Sequence, residues 1–295
     1  MTPPDVSVII TTYRRLQQLA RVLKMLAQQD YPKDRFEVIV VNDGGAQPLD
    51  TVVTPFERDL QIRLIFQENA GPGAGRNAGF QHARGAVIAF TDDDCEPAPG
   101  WLTALKRGAD SHPDSLLGGR TVSGLPRELC STAQQLIQDI VYDFYNADAG
   151  NARFFASNNM ALSAAGFRSI GGFDARFRIA SEDRDLCERW QRAGRHMVYV
   201  PSAVIHHFHR LNLAGFVRQY FRYGRGAARF HRENLRRGST GFWDNSGLHR
   251  RWHAWFFRPW REESGCRAMA FMALLVVWQA ANLAGFLYGR LFENE

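Results

Sequence analysis

Four short apolar runs, at residues 6–10, 36–41, 62–66 and 86–90, constrain this chain more than any other feature. Between them Leu16, Leu19, Ala20, Leu23 and Leu26 recur at helical spacing, and residues 74–84 make a small-residue helix candidate. Largely apolar runs, interrupted only at Ser7, Glu37 and Arg63 and separated by amphipathic helices, predict an α/β fold whose parallel sheet is covered on both faces. In such sheets, ligands bind at the carboxyl ends of the strands. The runs lead into Thr11-Thr12-Tyr13, Asn42-Asp43-Gly44, residues 69–79 and Asp92-Asp93-Asp94. Every one of those stretches is rich in polar groups or glycine.

The last cluster is the most expensive. Like charges stacked after a buried strand repel, so one takes up a proton unless a cation sits among them. Carboxylate oxygens suit Mg²⁺ or Mn²⁺, and such an ion suits a diphosphate. Capping of a helix begun between Pro97 and Trp101 is the structural alternative. Gly71-Pro72-Gly73-Ala74-Gly75-Arg76-Asn77-Ala78-Gly79 enters a helix without dinucleotide-binding or P-loop spacing. Its glycines either seat the helix closely on the sheet or let backbone approach an anion. Arg76 opposes the helix dipole at that end and calls for an acceptor. Asp43 either caps a turn or accepts a hydrogen bond from a base or ribose. Ser181-Glu182-Asp183-Arg184-Asp185 opens a helix closed by Gly194. Three carboxylates in four residues exceed the needs of capping, and one beside a bound hydroxyl can serve as general base. His206-His207-Phe208-His209 follows a short apolar stretch, and neutral imidazole ligates Mn²⁺.

Elsewhere, residues 133–145 read as a helix, 154–177 as a glycine-punctuated loop region, and 196–200 as a last strand ending before Pro201. Beyond His209 the composition shifts. Residues 206–267 hold 13 Arg against Glu233, Asp244, Glu262 and Glu263, a net +9 in a chain of net +6. Trp243, Trp252, Trp255, Phe256, Phe257 and Trp260 are interleaved with these arginines. Such a segment seeks an anionic partner. Residues 268–289 then run for 22 positions without a charge, enough to cross a bilayer or to lie in its interface. A buried core or dimerisation helix is the alternative. The four cysteines are widely spaced, which predicts a reducing compartment and no disulfide framework. Met1-Thr2-Pro3-Pro4-Asp5 lacks the basic start of a signal peptide.

In chain order, V-S-V-I-I-T-T-Y, V-V-N-D-G, N-A-G-P-G-A-G-R-N-A-G, T-D-D-D-C, G-G-F-D, S-E-D-R-D-L and P-S-A-V-I-H-H resemble the family 2 inverting glycosyltransferases of GT-A fold. The resemblance covers residues 5–210, about two-thirds of the chain. It implies a Rossmann-like, mostly parallel sheet, here with a helical C-terminal extension. It also implies a nucleotide-sugar donor linked to UDP, GDP or dTDP, with Mn²⁺ or Mg²⁺ as cofactor. By position, Thr11, Tyr13, Asp43, Arg76, Asp92 and Asp93 would bind the donor. Asp94 would ligate metal together with His207, for which His206 and His209 are alternatives. Asp183, preceded by Glu182, would be the catalytic base. Asn42 stands where many members carry a second Asp, and no Q-x-x-R-W motif follows Glu182, so a processive cellulose-type or chitin-type polymerase is not supported.

The expected organisation is a catalytic domain at 1–210, an arginine-aromatic extension at 211–267 and a hydrophobic helix at 268–290. The expected setting is the cytoplasmic face of the membrane, with a glycan or lipid-linked acceptor. A sugar nucleotidyltransferase is disfavoured because Thr12-Tyr13-Arg14-Arg15 has no glycine. A nucleic-acid-binding module would leave the acidic strand ends unexplained. A catalytically silent membrane protein on the same fold is the third alternative.

Overall fold

The computed structural model describes residues 3–46, 48–238 and 247–293; Trp243 and Asp244 lie outside them. The chain divides into two compact units. The first comprises Met1–Gly124, Asn146–Arg178 and Glu182–Phe208, and the second Leu125–Tyr145, Ile179–Ser181 and His209–Glu295.

In the first unit, β1 (Val6–Thr12), α1 (Leu16–Ala27), β2 (Phe36–Asp43), α2 (Asp50–Val53), β3 (Gln61–Gln67), α3 (Pro72–Gln81) and β4 (Val87–Asp92) alternate as the apolar runs require. There follow β5 (Cys95–Pro97), α4 (Trp101–Ser111) and β6 (Leu116–Ser123). In the second unit comes α5 (Leu129–Tyr145); the first resumes with β7 (Asn159–Ser163), α6 (Ala164–Ser169), α7 (Glu182–Arg192) and β8 (Met197–His207). One sheet runs in the order β3-β2-β1-β4-β7-β6-β8-β5. Strands β3, β2, β1 and β4 are mutually parallel, β6 is parallel to β8, and β7 and β5 run antiparallel to their neighbours.

Burial explains the lack of polar alternation in β1, β2 and β4, whereas β3 at the edge of the sheet is half-exposed. Val6, Val8 and Ile10 of β1 pack in one core with Leu19, Val22, Leu23 and Leu26 of α1. Each such buried side chain stabilises the fold by roughly 1.5–3 kcal/mol. Ile9 turns to the opposite face, where a Cβ on Gly79 of α3 would come within 2.6 Å of its Cγ2. A Cβ on Gly75 would come within 2.8 Å of Thr11 Cγ2. The glycines at 75 and 79 therefore seat α3 directly on β1.

Two expectations change. The region read as loop holds β7 and α6, whose start is capped by the Ser163 hydroxyl accepting from Gly166 N. A five-residue strand opened by asparagine shows no periodicity to detect. The last strand does not stop before Pro201: β8 continues to His207. Its pairing to β6 slips from Gly119↔Val200 to Arg120↔Val204, so the proline, which has no N–H to donate, falls in the unpaired stretch.

In the second unit, α5 packs with α8 (Leu213–Arg236), α9 (Gly247–Arg250), α10 (Trp252–Phe256), α11 (Arg258–Glu262) and α12 (Gly265–Phe292). Ile137, Phe216, Tyr220, Leu248, Trp255, Phe271 and Trp278 form the common core of α5, α8, α9, α10 and α12. A Cβ on Gly224 would overlap the Asn282 carbonyl, and one on Gly285 the Phe221 carbonyl, so α8 and α12 meet backbone to backbone. Helix α12 is the described helix long and apolar enough to cross a membrane, with mean hydropathy 1.8 in its most apolar window. Gln279 is engaged by His249 at 2.9 Å, while Met269, Val276, Leu283, Leu287 and Leu291 form an exposed apolar stripe.

Candidate active site

The parallel register aligns the strand ends. Thr12 lies beside Asn42, Thr11 beside Asp92, and Asp43 beside Gln67. Four clusters scattered through the sequence thus share one sheet edge.

Asp43 is committed to the loop that follows β3. One carboxylate oxygen accepts from Gln67 Nε2 (2.6 Å) and Ala70 N (2.9 Å), the other from Asn69 Nδ2 (3.3 Å) and Gly71 N (3.0 Å). Gly71, with φ +93, turns that loop into α3 where a Cβ would press on the Arg178 carbonyl. Of the two roles open to Asp43, the structure displays the turn cap. The loop borders a shallow cleft of about 550 Å³ lined by Asn42, Gly44, Gly45, Ala46, Phe66, Gln67, Glu68 and Asn69. Phe66 is 59% exposed there.

The end of β4 carries the charge. Arg76, 3% exposed, donates from one nitrogen to Asp92 (2.7 Å) and from another to Glu182 (3.1 Å), and lies over the Phe173 ring. These are the acceptors its position at the start of α3 required. The Thr12 hydroxyl donates to Asp93 (2.7 Å). Arg15 reaches both Asp93 and Asp94 at 3.0 Å. Burial pushes Asp93 up to about 6, with the Asp94 charge adding to the shift and Arg15 and Thr12 opposing it. Repulsion at the acidic edge is therefore relieved in two ways, by guanidinium groups and by a raised proton affinity.

Asp94 also faces His207, with Nε2 3.3 Å from Oδ1. Strand β5 pairs with the end of β8 (Cys95↔His207), and Phe208 N donates to the Asp94 carbonyl at 2.8 Å. Burial lowers the proton affinity of His207, but the hydrogen bond and charge of Asp94 outweigh it and the net shift is upward. His206 points to the exposed side of β8, opposite Glu96, and His209 begins the second unit.

Asp183 stands in the first turn of α7, beside Glu182. Burial and then the neighbouring Glu182 charge raise its proton affinity, while the N–H groups of Arg184 and Ser157 and the Arg76 charge act against that rise. Arg184 N lies 2.7 Å from its Oδ1. A carboxylate held this way binds a proton more tightly than an ordinary aspartate, as a general base should.

The structure thus joins Arg76, Asp92 and Glu182 directly, and Asp93, Asp94 and His207 in a second chain of contacts. Thr11 touches α3 by its methyl group, and Tyr13 is 42% exposed beside Arg14. Sequence reasoning missed Thr12, Arg15, Phe66 and Ser157. The basic pair Arg14-Arg15 after a strand end was the only cue for one of them.

The donor set fits a divalent cation. Asp94 and His207 offer a carboxylate oxygen and an imidazole nitrogen in adjoining positions. Asp92, Asp93, Asp94, Glu182 and Asp183 outnumber Arg15 and Arg76, which leaves negative charge to be balanced.

Residues 7–171 match the model of the family described as Glycosyl transferase family 2, and residues 128–291 that of Glycosyl transferase family group 2. The chain is 38% identical to the glycosyltransferase AglE of Haloferax volcanii over 104 residues, 34% of each protein. It is 28% identical to the pre-mycofactocin glycosyltransferase of Mycobacterium tuberculosis over 230 residues, 76% of this chain and 47% of the relative. It therefore spans a third to a half of the length of these relatives. Among solved structures, it is similar to the mannosyltransferase PcManGT of Pyrobaculum calidifontis in complex with GDP-Man and Mn²⁺, with TM-score 0.71 and 19% identity over 100% of this chain and 89% of that one. It is also similar to TarS 1–349 of S. aureus in complex with UDP-GlcNAc, with TM-score 0.55 and 17% identity over 97% and 90%. At these identities the likeness establishes a shared fold.

Replacing Arg76 removes the counter-charge of Glu182, a side chain only 9% exposed. Arg76→Ala is expected to lower the unfolding free energy by about 3–5 kcal/mol, measured by urea denaturation. An unchanged midpoint and slope would show that the pair holds nothing together.

Proposed function

Because the chain belongs to glycosyl transferase family 2, we propose that it transfers a sugar, with inversion, from a nucleotide-sugar donor to an acceptor hydroxyl. The observation carrying this reading is the link Asp92–Arg76–Glu182, which brings the first turn of α7 to the acidic end of β4, with Glu182 lying 106 positions beyond Arg76 in the sequence.

The donor's base occupies the cleft beside Phe66, whose exposed ring suits stacking, and its diphosphate lies toward Asp92, Asp93 and Asp94. Asp94 and His207 would hold the divalent ion, Mn²⁺ or Mg²⁺, which when bound neutralises negative charge on a diphosphate. Thr11, Tyr13 and Asp43 border the base and ribose, Asp43 by shaping the loop. Asp183 takes the proton of the acceptor hydroxyl. That oxygen then bonds to the anomeric carbon as the bond from this carbon to the diphosphate oxygen breaks on the opposite side, so one displacement inverts the centre. Glu182 and Arg76 orient the base.

The second unit provides the setting. The exposed stripe on α12, with the exposed Trp252, Phe257 and Trp260 among arginines, suits the cytoplasmic face of an anionic membrane. The acceptor is then a glycan or a lipid-linked sugar in cell-surface polysaccharide or glycolipid assembly.

UDP-, GDP- and dTDP-sugars incubated with Mn²⁺ test the donor class, by release of nucleoside diphosphate. Asp94→Ala is expected to lose at least 100-fold in turnover, roughly the scale of removing one electrostatic stabiliser. Near-wild-type turnover would sink the metal assignment. Asp183→Asn is expected to bind donor normally in calorimetry while transfer disappears. Since the raised affinity of Asp183 means the free base exists only above its titration, the acid limb of kcat/KM in the wild type should lie above the usual aspartate value near 3.9. A limb at or below that value would remove Asp183 from the role. Finally, the chain should sediment with phosphatidylglycerol vesicles and less with phosphatidylcholine alone. Trp252→Ala with Trp260→Ala should weaken that association, and equal recovery with and without vesicles would contradict membrane docking.

A further inference from the structure

Two adjacent asparagines at the entrance to β7 are used differently. The Asn159 side chain is spent on the fold: its oxygen accepts from Trp101 Nε1 (2.8 Å), and its nitrogen donates to the carbonyls of Arg120 (3.1 Å) and Ala203 (3.0 Å). Asn158 is nearly as buried, at 7% exposure, yet its side-chain oxygen meets no donor. A desolvated acceptor without a partner is a standing cost that folds normally avoid. Asn77 and Asn146 of the same unit have their amides bonded at both ends.

The position of Asn158 says what is missing. It lies in a turn closed by Asn159 N donating to the Ala156 carbonyl at 3.2 Å. On one side the turn meets α7, where Cys187 Sγ donates to the Phe155 carbonyl at 3.6 Å and the Ser157 N–H lies near enough to Asp183 to oppose its raised proton affinity. On the other, Asn159 aligns with Thr91, the residue before Asp92. The turn therefore sits between the end of β4, where the diphosphate is assigned, and the base that activates the attacking hydroxyl. In a single displacement, the sugar being transferred must lie between those two points.

We propose that Asn158 reads the donor sugar: its side-chain oxygen accepts a hydrogen bond from one hydroxyl of the hexose being transferred. The inference rests on the glycosyltransferase reading and adds a specificity residue to it. A site built around a substrate hydroxyl discriminates strongly against an analogue lacking it, because the buried protein atom is then left unpaired.

The test uses the full chain with Mn²⁺ and a panel of UDP-glucose, UDP-N-acetylglucosamine and GDP-mannose, then the monodeoxy analogues of whichever donor is turned over. Wild type is expected to disfavour one deoxy analogue by roughly ten- to hundredfold in kcat/KM. Asn158→Ala should fall toward that reduced level with the natural donor and lose the discrimination at that hydroxyl alone. Asn158→Leu, which fills the space without a polar atom, should show the same loss with a melting temperature no lower than wild type. Discrimination retained by both variants at every hydroxyl overturns the inference while the glycosyltransferase reading stands. So does a fall in melting temperature in both with selectivity intact, since Asn158 is then structural. A wild-type chain that processes none of the panel and no dTDP-sugar overturns both readings together.

Discussion

The buried guanidinium of Arg76 is the contact on which the arrangement of the site depends. It is carried by α3, bonded to Asp92 at the end of β4 and to Glu182 at the start of α7, so three elements meet at one side chain. Ion pairs of this kind add little net stability because desolvation offsets attraction, but breaking one strands a buried charge. The consequence is positional. The first turn of α7, with Asp183 on it, is held to the sheet edge by a fork with two fixed directions, a geometry a flexible ammonium does not reproduce.

Charge at the acidic edge follows from that arrangement. A sheet that buries its strands on both faces has few places for polar groups other than strand ends, and here several acids share one end. Arg15 draws Asp93 and Asp94 together, Thr12 donates to Asp93, and burial raises the proton affinity of Asp93 and Asp183. The same surplus of carboxylates that is costly without a ligand makes the edge receptive to a cation and its anionic partner. In the same unit, Arg14 has a positive φ just after β1, and the buried side-chain oxygen of Asn158 lacks a donor.

The second unit solves a different problem. Two long helices approach closely because glycines stand where their backbones meet, at Gly224 and Gly285, and the polar side chain of Gln279 is turned to a partner within the unit. What is left outward on α12 is almost wholly apolar. A helix buried on one face and apolar on the other is unusual for a surface in water, and this is the feature on which the proposed membrane docking rests.

Much was legible in the residues themselves. Strands and helices of the first half follow from largely apolar runs and from leucines at helical spacing, because burial of β1, β2 and β4 imposes those patterns. The acidic end of β4, the carboxylates opening α7 and the demand of Arg76 for an acceptor are local facts of charge and dipole, readable from neighbours in the chain. Asp43 and the glycine run were ambiguous for a physical reason: a turn cap and a ligand contact, or a packing glycine and a phosphate cradle, use the same residues. The tertiary contacts display the cap and the packing role, through four donors closing on Asp43 and the side chains of Ile9 and Thr11 pressing on α3. The strand hidden at Asn159–Ser163, the passage of β8 through Pro201 and the bridging by Arg15 had no periodic signature, since each depends on partners far along the chain. Local sequence determines what a segment can bury. Which acid meets which guanidinium, and which asparagine is left wanting a donor, is settled only when distant segments come together.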